Sequence, residues 1–298
     1  MITTAPFQSG PAELQRPDGA RLALYVDGPP HPELVIVLAH GWQAAASTWD
    51  ELVRQLPTGR TRVVRYDQRG HGASSQGRAR PSTALLADDL KAVIAATAPG
   101  RLPVVLVGHS MGGMSALGLA AQHPHLIGEK VAAVVLAATT SGGLDTSAPG
   151  HPFPRRLRGL TRHTMAAVAL RAPRPAGYVR TKIRPRPYVQ PPIDVAALWF
   201  QALMQHDVAG RLRALSRIPV HILVGEADQM IPAVHALRLA GEIPTARVHV
   251  VPDGSHRLPT QHPEAVLAAL EEACLAALRT AHPWRALLRR RRRALASA

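Results

Sequence analysis

The chain has 298 residues, 46% of them hydrophobic but only 4% aromatic, and a formal net charge of +15. That is enough for one large α/β domain plus an insertion, over a core made mostly of Ala, Val and Leu. A single cysteine, Cys274, excludes an intrachain disulfide and suits a reducing compartment, and the apolar runs, such as Val131 to Ala138, fall far short of a membrane span.

Met1 to Gly19 has neither a basic nor an apolar signal segment, so no signal peptide is expected. Arg21 to Val26 alternates and predicts an early antiparallel strand, and Pro29 to Pro32 a loop. Leu34 to Ala39 is continuously apolar, as a strand buried on both faces of a parallel sheet would be. His40-Gly41 follows it directly, and Ser47 can cap a helix through Leu56. Arg62 to Tyr66 is the next strand. The cluster Asp67-Gln68-Arg69-Gly70-His71-Gly72 after it reads as a structural turn around a buried carboxylate, with no catalytic role for His71. Ser82 to Ala96 has helical spacing. The β-branched run from Val104 then ends in Gly108-His109-Ser110-Met111-Gly112, and an Ala/Leu-rich helix follows through Ala121. Val131 to Ala138 is the sixth strand. This alternation predicts βαβ units and a mostly parallel sheet.

From Thr139 to about Ile218 the alternation stops. Two helical patterns flank a Pro/Arg-rich stretch, Pro173 to Pro192, and Asp194 can cap the second, which carries Val195, Leu198, Trp199, Leu203 and Met204. Val220 to Val224 resumes the sheet, Arg247 to Val251 is the last strand, and Pro263 to Arg279 the last helix. Cys274 falls in that helix as a small apolar residue.

The positive charge is local. Ten Lys/Arg and no acid lie between Arg155 and Arg186, and five consecutive arginines span Arg289 to Arg293, after Trp284, Leu287 and Leu288. Apolar anchors beside basic residues suggest peripheral contact with an anionic membrane surface, the alternative being a solvated, Arg-rich composition bias. No DNA- or RNA-binding motif or basic–aromatic interleaving is present, so no nucleic-acid partner is expected. H-E-x-x-H is absent and no dinucleotide fingerprint follows the first strand, so neither a metal nor a cofactor is expected.

Strand, tight turn and helix with Ser110 at the apex is the context a G-x-S-x-G nucleophile requires, with the helix N-terminus beneath it favouring negative charge. On this motif and its context the chain resembles the α/β-hydrolase-fold serine hydrolases, in their capped, esterase/lipase-like group. The resemblance implies a mostly parallel central sheet of about eight strands flanked by helices, with a helical cap inserted after the sixth strand. The core would comprise residues 1–140 and 216–284, the cap 141–215, and a basic tail 285–298.

A serine hydroxyl needs a base, and the base needs an orienting group. His256, in the loop Pro252 to His256 after the last strand, resembles the family's base, whereas His262 before Pro263 reads as a helix-start residue. Val224 to Pro232 resembles the family's Gly-x-x-Asp-x-x-x-Pro loop and points to Asp228 as the acid, with Glu226 and Asp253 as rivals. The alternative acid position after the sixth strand reads Ala138-Thr139-Thr140-Ser141 and offers none. The family's oxyanion hole maps onto the backbone N–H groups of Trp42 and Met111. Trp42, Trp199, Phe200 and Met204 are the expected substrate contacts, packing of the cap being the alternative for the last three.

A serine in place of an aspartate nucleophile argues against the dehalogenase and epoxide-hydrolase branches. The expected activity is hydrolysis of a carboxylic ester, esterase or monoacylglycerol-lipase-like, by a cytoplasmic enzyme that visits membrane faces. Thioesterase, perhydrolase and carbon–carbon hydrolase chemistry use the same triad, and a non-catalytic small-ligand receptor is the different class.

Overall fold

The computed structural model describes residues 11–57, 59–144 and 191–281. Eight strands form one sheet in the order β1-β2-β4-β3-β5-β6-β7-β8. They are β1 (Ala12–Gln15), β2 (Arg21–Asp27), β3 (Leu34–Ala39), β4 (Thr61–Tyr66), β5 (Val104–His109), β6 (Val131–Ala137), β7 (Val220–Gly225) and β8 (Arg247–Val251). β1 pairs antiparallel with β2 and β2 with β4, while every pairing from β4 across to β8 is parallel. The apolar runs behave as double-sided burial requires: every residue of β3, β5 and β7 is buried.

The longer helices are α1 (Asp50–Gln55), α2 (Thr83–Thr97), α3 (Met111–Gln122), α4 (Ile193–Met204), α5 (Ala233–Glu242) and α6 (Pro263–Ala281). Two core layers flank the sheet. One joins Val35, Val37 and Leu106 to α2, α3 and α5 through residues such as Leu90, Leu117 and Leu239. The other joins Ile36, Leu38 and Val105 to α1 and α6 through Leu52, Val266 and Leu270. Alternate residues of one strand thus serve opposite layers, the period of two built into a strand. Cys274 packs against the second layer, and burial, aided by Glu271, pushes its thiol up to about 12, so it stays protonated at neutral pH.

Two capping expectations are corrected. Ser47 lies inside a 3-10 turn, Ala46–Trp49, and makes no cap bond. The Ala46 N–H at the start of that turn donates to the Asp67 carboxylate at 2.7 Å, from beyond β4. α4 starts at Ile193 with Pro192 as its cap residue, so Asp194 sits in the first turn, where its charge complements the helix dipole without capping it. Ser82 does cap α2, accepting from Leu85 N at 3.1 Å.

β1, the four residues Ala12–Gln15, carries no strong sequence signal. β1 forms because its register with β2 supplies backbone partners. α5 is only partly apolar, with Val234 and Leu237 exposed and Ala236 and Leu239 buried.

The Asp67 turn is a rigid buried unit. Besides Ala46 N, the Asp67 carboxylate accepts from Ala73 N at 2.9 Å and Tyr25 Oη at 3.0 Å. A Cβ on Gly72 would lie 2.3 Å from that carboxylate. Arg69, also buried, donates twice to Asp89 of α2 at 2.8 Å and once to Asp18 at 2.6 Å, which ties the β1–β2 hairpin to the helix layer. No helix among the described residues is long and apolar enough to cross a membrane. The segment expected to form most of the cap, 145–190, and the basic tail both lie outside the described residues.

Candidate active site

In the sheet order, β3, β5, β6, β7 and β8 lie side by side and parallel. Their carboxyl ends therefore share one edge, the place where open α/β sheets put their sites. His40 and Gly41 follow β3, Ser110 follows β5, Thr139 closely follows β6, Asp228 follows β7 and His256 follows β8.

Ser110 has φ 52° and ψ −115°, a backbone conformation that L residues rarely adopt. Close packing around the turn holds it there. Ser110 N donates to Ala137 O at 2.9 Å, and a Cβ on Gly112 would lie 2.1 Å from Ala39 O. The hydroxyl, at the start of α3, donates to His256 Nε2 at 3.0 Å. His256 Nδ1 lies 2.9 Å from Asp228 Oδ2.

Asp228 is almost fully buried, and its other oxygen, Oδ1, accepts from Met230 N at 2.8 Å and Ile231 N at 2.9 Å. Burial alone would raise its carboxyl. The hydrogen bond to and charge of His256, with the two backbone N–H groups, outweigh it and hold the carboxyl below its ordinary value. An ionised carboxylate only accepts, so His256 Nδ1 carries the hydrogen and the Nε2 lone pair faces Ser110. The three residues read from sequence are thus brought into one hydrogen-bonded line. Both rival acids, Glu226 and Asp253, are exposed at the surface.

Three residues make contacts around this line that were not legible in the sequence. His109, buried before Ser110, donates from Nε2 to the backbone oxygen of His256 at 2.6 Å, its ring 5.2 Å from the His256 ring. Burial, then the His256 charge, lowers its pKa to about 3, so it stays neutral. Thr139 Oγ1 donates to Ser110 O at 2.8 Å. Gln68, fully buried, donates its backbone N–H to His40 Nε2 at 2.8 Å and its side-chain amide to His40 O, and accepts from Ser115 Oγ of α3 at 2.8 Å. With Nε2 accepting, His40 donates from Nδ1 to Gly41 O at 2.7 Å. The only advance signal for these contacts is position, each residue lying at or just beyond the carboxyl end of a strand.

Met111 is the first residue of α3, so its N–H has no partner within the helix. Trp42 lies in a turn closed by Ala44 N to Gly41 O at 3.2 Å, a bond that leaves the Trp42 N–H unused. The Trp42 indole donates to Ala196 O of α4 at 3.0 Å, and its ring packs on Phe200 at 5.3 Å between centroids. Trp199 has no exposed surface and donates its indole N–H to Gln76 Oε1 at 2.8 Å. It packs with Met111 and Met114 of α3, with Met204 partly buried beside them. α4 therefore shares one apolar cluster with the start of the helix that follows Ser110. His71 keeps Nδ1 bonded to Arg69 O at 2.9 Å, and burial lowers its pKa to about 3. His262 bonds Glu264 at the start of α6. Among the described residues no cluster of three or more metal-ligating side chains occurs.

The model of the alpha/beta hydrolase family matches residues 36–269, which span every strand from β4 onward, most of β3 and all three residues of the line. The chain belongs to the alpha/beta hydrolase family. Among curated hydrolases it is 29% identical over 256 residues to the "Putative carbamate hydrolase RutD" of Caulobacter sp. (strain K31), covering 82% of this chain and 91% of that one. It is 27% identical over 269 residues to the bifunctional esterase/perhydrolase DCH of Acinetobacter calcoaceticus, covering 81% and 92%. A carboxylesterase structure from Nitrososphaera gargenis superposes with a TM-score of 0.71 at 21% identity, over 90% of this chain and 98% of that one, and shows the shared fold. This hydrolase therefore carries the fold of the family, and its chemistry is hydrolytic.

Proposed function

We propose that this hydrolase cleaves a carboxylic ester, in the manner of an esterase or monoacylglycerol lipase, through an acyl-enzyme on Ser110. The observation that carries the reading is the line Ser110 Oγ, His256, Asp228, with its imidazole tautomer set by the buried carboxylate. As Ser110 Oγ attacks the ester carbonyl, His256 Nε2 takes its proton, and Asp228 stabilises the resulting imidazolium. The carbonyl oxygen becomes an oxyanion held by the N–H groups of Trp42 and Met111. Collapse expels the alcohol, which receives the proton from His256. A water then repeats the sequence on the acyl-enzyme, with His256 as base, and releases the acid and Ser110. No cofactor or metal takes part.

The segment 141–215 acts as the cap over this site. Trp42, Phe200 and Met204 form the apolar wall for the acyl chain, with the fully buried Trp199 packed behind them, which the shared cluster of α4 and α3 supports. A second reading, perhydrolysis of the same acyl-enzyme by peroxide, draws on the relative named a bifunctional esterase/perhydrolase.

A fluorophosphonate probe should label wild type at Ser110, and p-nitrophenyl esters of graded chain length should be turned over with a burst. Ser110→Ala should abolish both while the protein stays folded. Near wild-type turnover by Ser110→Ala would overturn the reading.

A further inference from the structure

An oxyanion hole needs two backbone N–H groups aimed at one point, and each belongs to a peptide whose carbonyl faces the opposite way. We propose that Thr139 is a positioning residue for this hole: its hydroxyl, bonded to Ser110 O, fixes the Ser110–Met111 peptide so that the Met111 N–H is aimed at the developing charge. The inference rests on the acyl-transfer reading above.

The described peptides include no cis bond, so the Met111 N–H points opposite to Ser110 O. Ser110 O accepts the helical bond from Met114 N at 3.0 Å and, in addition, the Thr139 hydroxyl at 2.8 Å. A carbonyl with two acceptor sites is thereby saturated, and the peptide plane cannot rock about the start of α3. A bonded carbonyl also strengthens the N–H of its own peptide as a donor, because hydrogen bonds in a chain polarise one another.

Thr139 occupies a built seat. It is 4% exposed, and the preceding Ala138 has φ 50°, a strained turn for a non-glycine residue. A Cβ on Gly113 would lie 2.6 Å from the Cβ, Cγ2 and Oγ1 of Thr139, so the glycine leaves room for the side chain. The opposite donor is held in the same way. His40 Nδ1 bonds Gly41 O at 2.7 Å, the carbonyl of the peptide that presents the Trp42 N–H. Each donor is thus secured from behind by a buried side chain that itself never touches the oxyanion.

The test compares Thr139→Val, nearly isosteric but without the hydroxyl, with Thr139→Ser, which restores it. Thr139→Ala replaces the valine variant should that one fail to fold. Removing an oxyanion donor outright costs about 10²- to 10³-fold in kcat, so losing its support should cost less, about 10-fold to 100-fold. The loss should fall on kcat with KM unchanged. Affinity for a trifluoromethyl ketone, whose tetrahedral adduct carries the oxyanion, should fall by the same factor, and Thr139→Ser should recover most of both.

Unchanged kcat in a folded valine or alanine variant would overturn the inference. So would a loss confined to KM or melting temperature with ketone affinity intact, or a serine variant no better than valine. A wild type that neither labels with fluorophosphonate nor cleaves esters would overturn the acyl-transfer reading and this inference with it. A labelled, active wild type with an unaffected Thr139→Val would overturn this inference alone.

Discussion

Asp228→Asn separates the role of the carboxylate from its packing. Oδ1 accepts two backbone N–H groups, from Met230 at 2.8 Å and Ile231 at 2.9 Å, and Oδ2 accepts from His256 Nδ1 at 2.9 Å. An asparagine can satisfy the loop only by placing its carbonyl oxygen at the Oδ1 position. Its NH2 then faces His256, and Nδ1 must become the acceptor. The imidazole hydrogen moves to Nε2, where it points at Ser110 Oγ and removes the general base. The fold keeps both loop bonds, so the melting temperature should change little. The rate should fall about 10³- to 10⁴-fold, the loss expected of a wrong histidine tautomer, equivalent to about 4–5.5 kcal/mol of transition-state stabilisation. Stopped-flow acylation with a p-nitrophenyl ester, alongside thermal melts, measures both. A variant retaining a tenth or more of wild-type acylation would refute the tautomer argument. So would a loss of that size in Glu226→Gln with Asp228→Asn tolerated, which would transfer the orienting role to the exposed loop acid.

Two further outcomes follow from the burial of the site's neighbours. His40, His71 and His109 are lowered to about 4, 3 and 3, each chiefly by burial, so they stay neutral where unfolded imidazoles, near 6.5, take up protons. The unfolded state therefore binds more protons across that window; stability is complete above about pH 6.5 and is lost as pH falls through the folded values. At pH 5 each ring costs about 2 kcal/mol and the three together about 6, comparable with a whole domain's stability of about 5–15 kcal/mol. Urea midpoints at pH 7.5, 6 and 5 should fall steeply, and a flat profile would refute the assignment. Trp199→Ala removes a fully buried indole that joins α4 to Met111 and Met114, which should cost about 3–5 kcal/mol and shift acyl-chain preference toward longer esters. Destabilisation with the chain-length profile unchanged would restrict Trp199 to packing.

The parts of this hydrolase legible in its sequence are those encoded by neighbours in the chain. Leu34 to Ala39 reads as a doubly buried strand because six consecutive apolar residues have few other uses in a chain of this composition, and all six are buried. The strand–serine–helix turn reads from glycine spacing, because the backbone at Ser110 and the approach of Gly112 to Ala39 impose those residues locally. Sequence also narrowed the acid to three candidates in two loops. The loop pattern favoured Asp228 among them, and the tertiary structure adds that Asp228 alone of the three is buried against His256, with Glu226 and Asp253 exposed.

What remained hidden depends on partners far apart along the chain. Ser110 and His256 are 146 residues apart, Thr139 and Ser110 29, and Gln68 and His40 28. Asp67 accepts the Ala46 N–H at the start of the turn that holds Ser47, because the packing of β4 beside β3 brings its carboxylate there from 21 residues away. Local pattern decides which segments become strands and helices. The order of strands in the sheet decides which strand ends meet, and with them which hydroxyl, carboxylate and ring share the site.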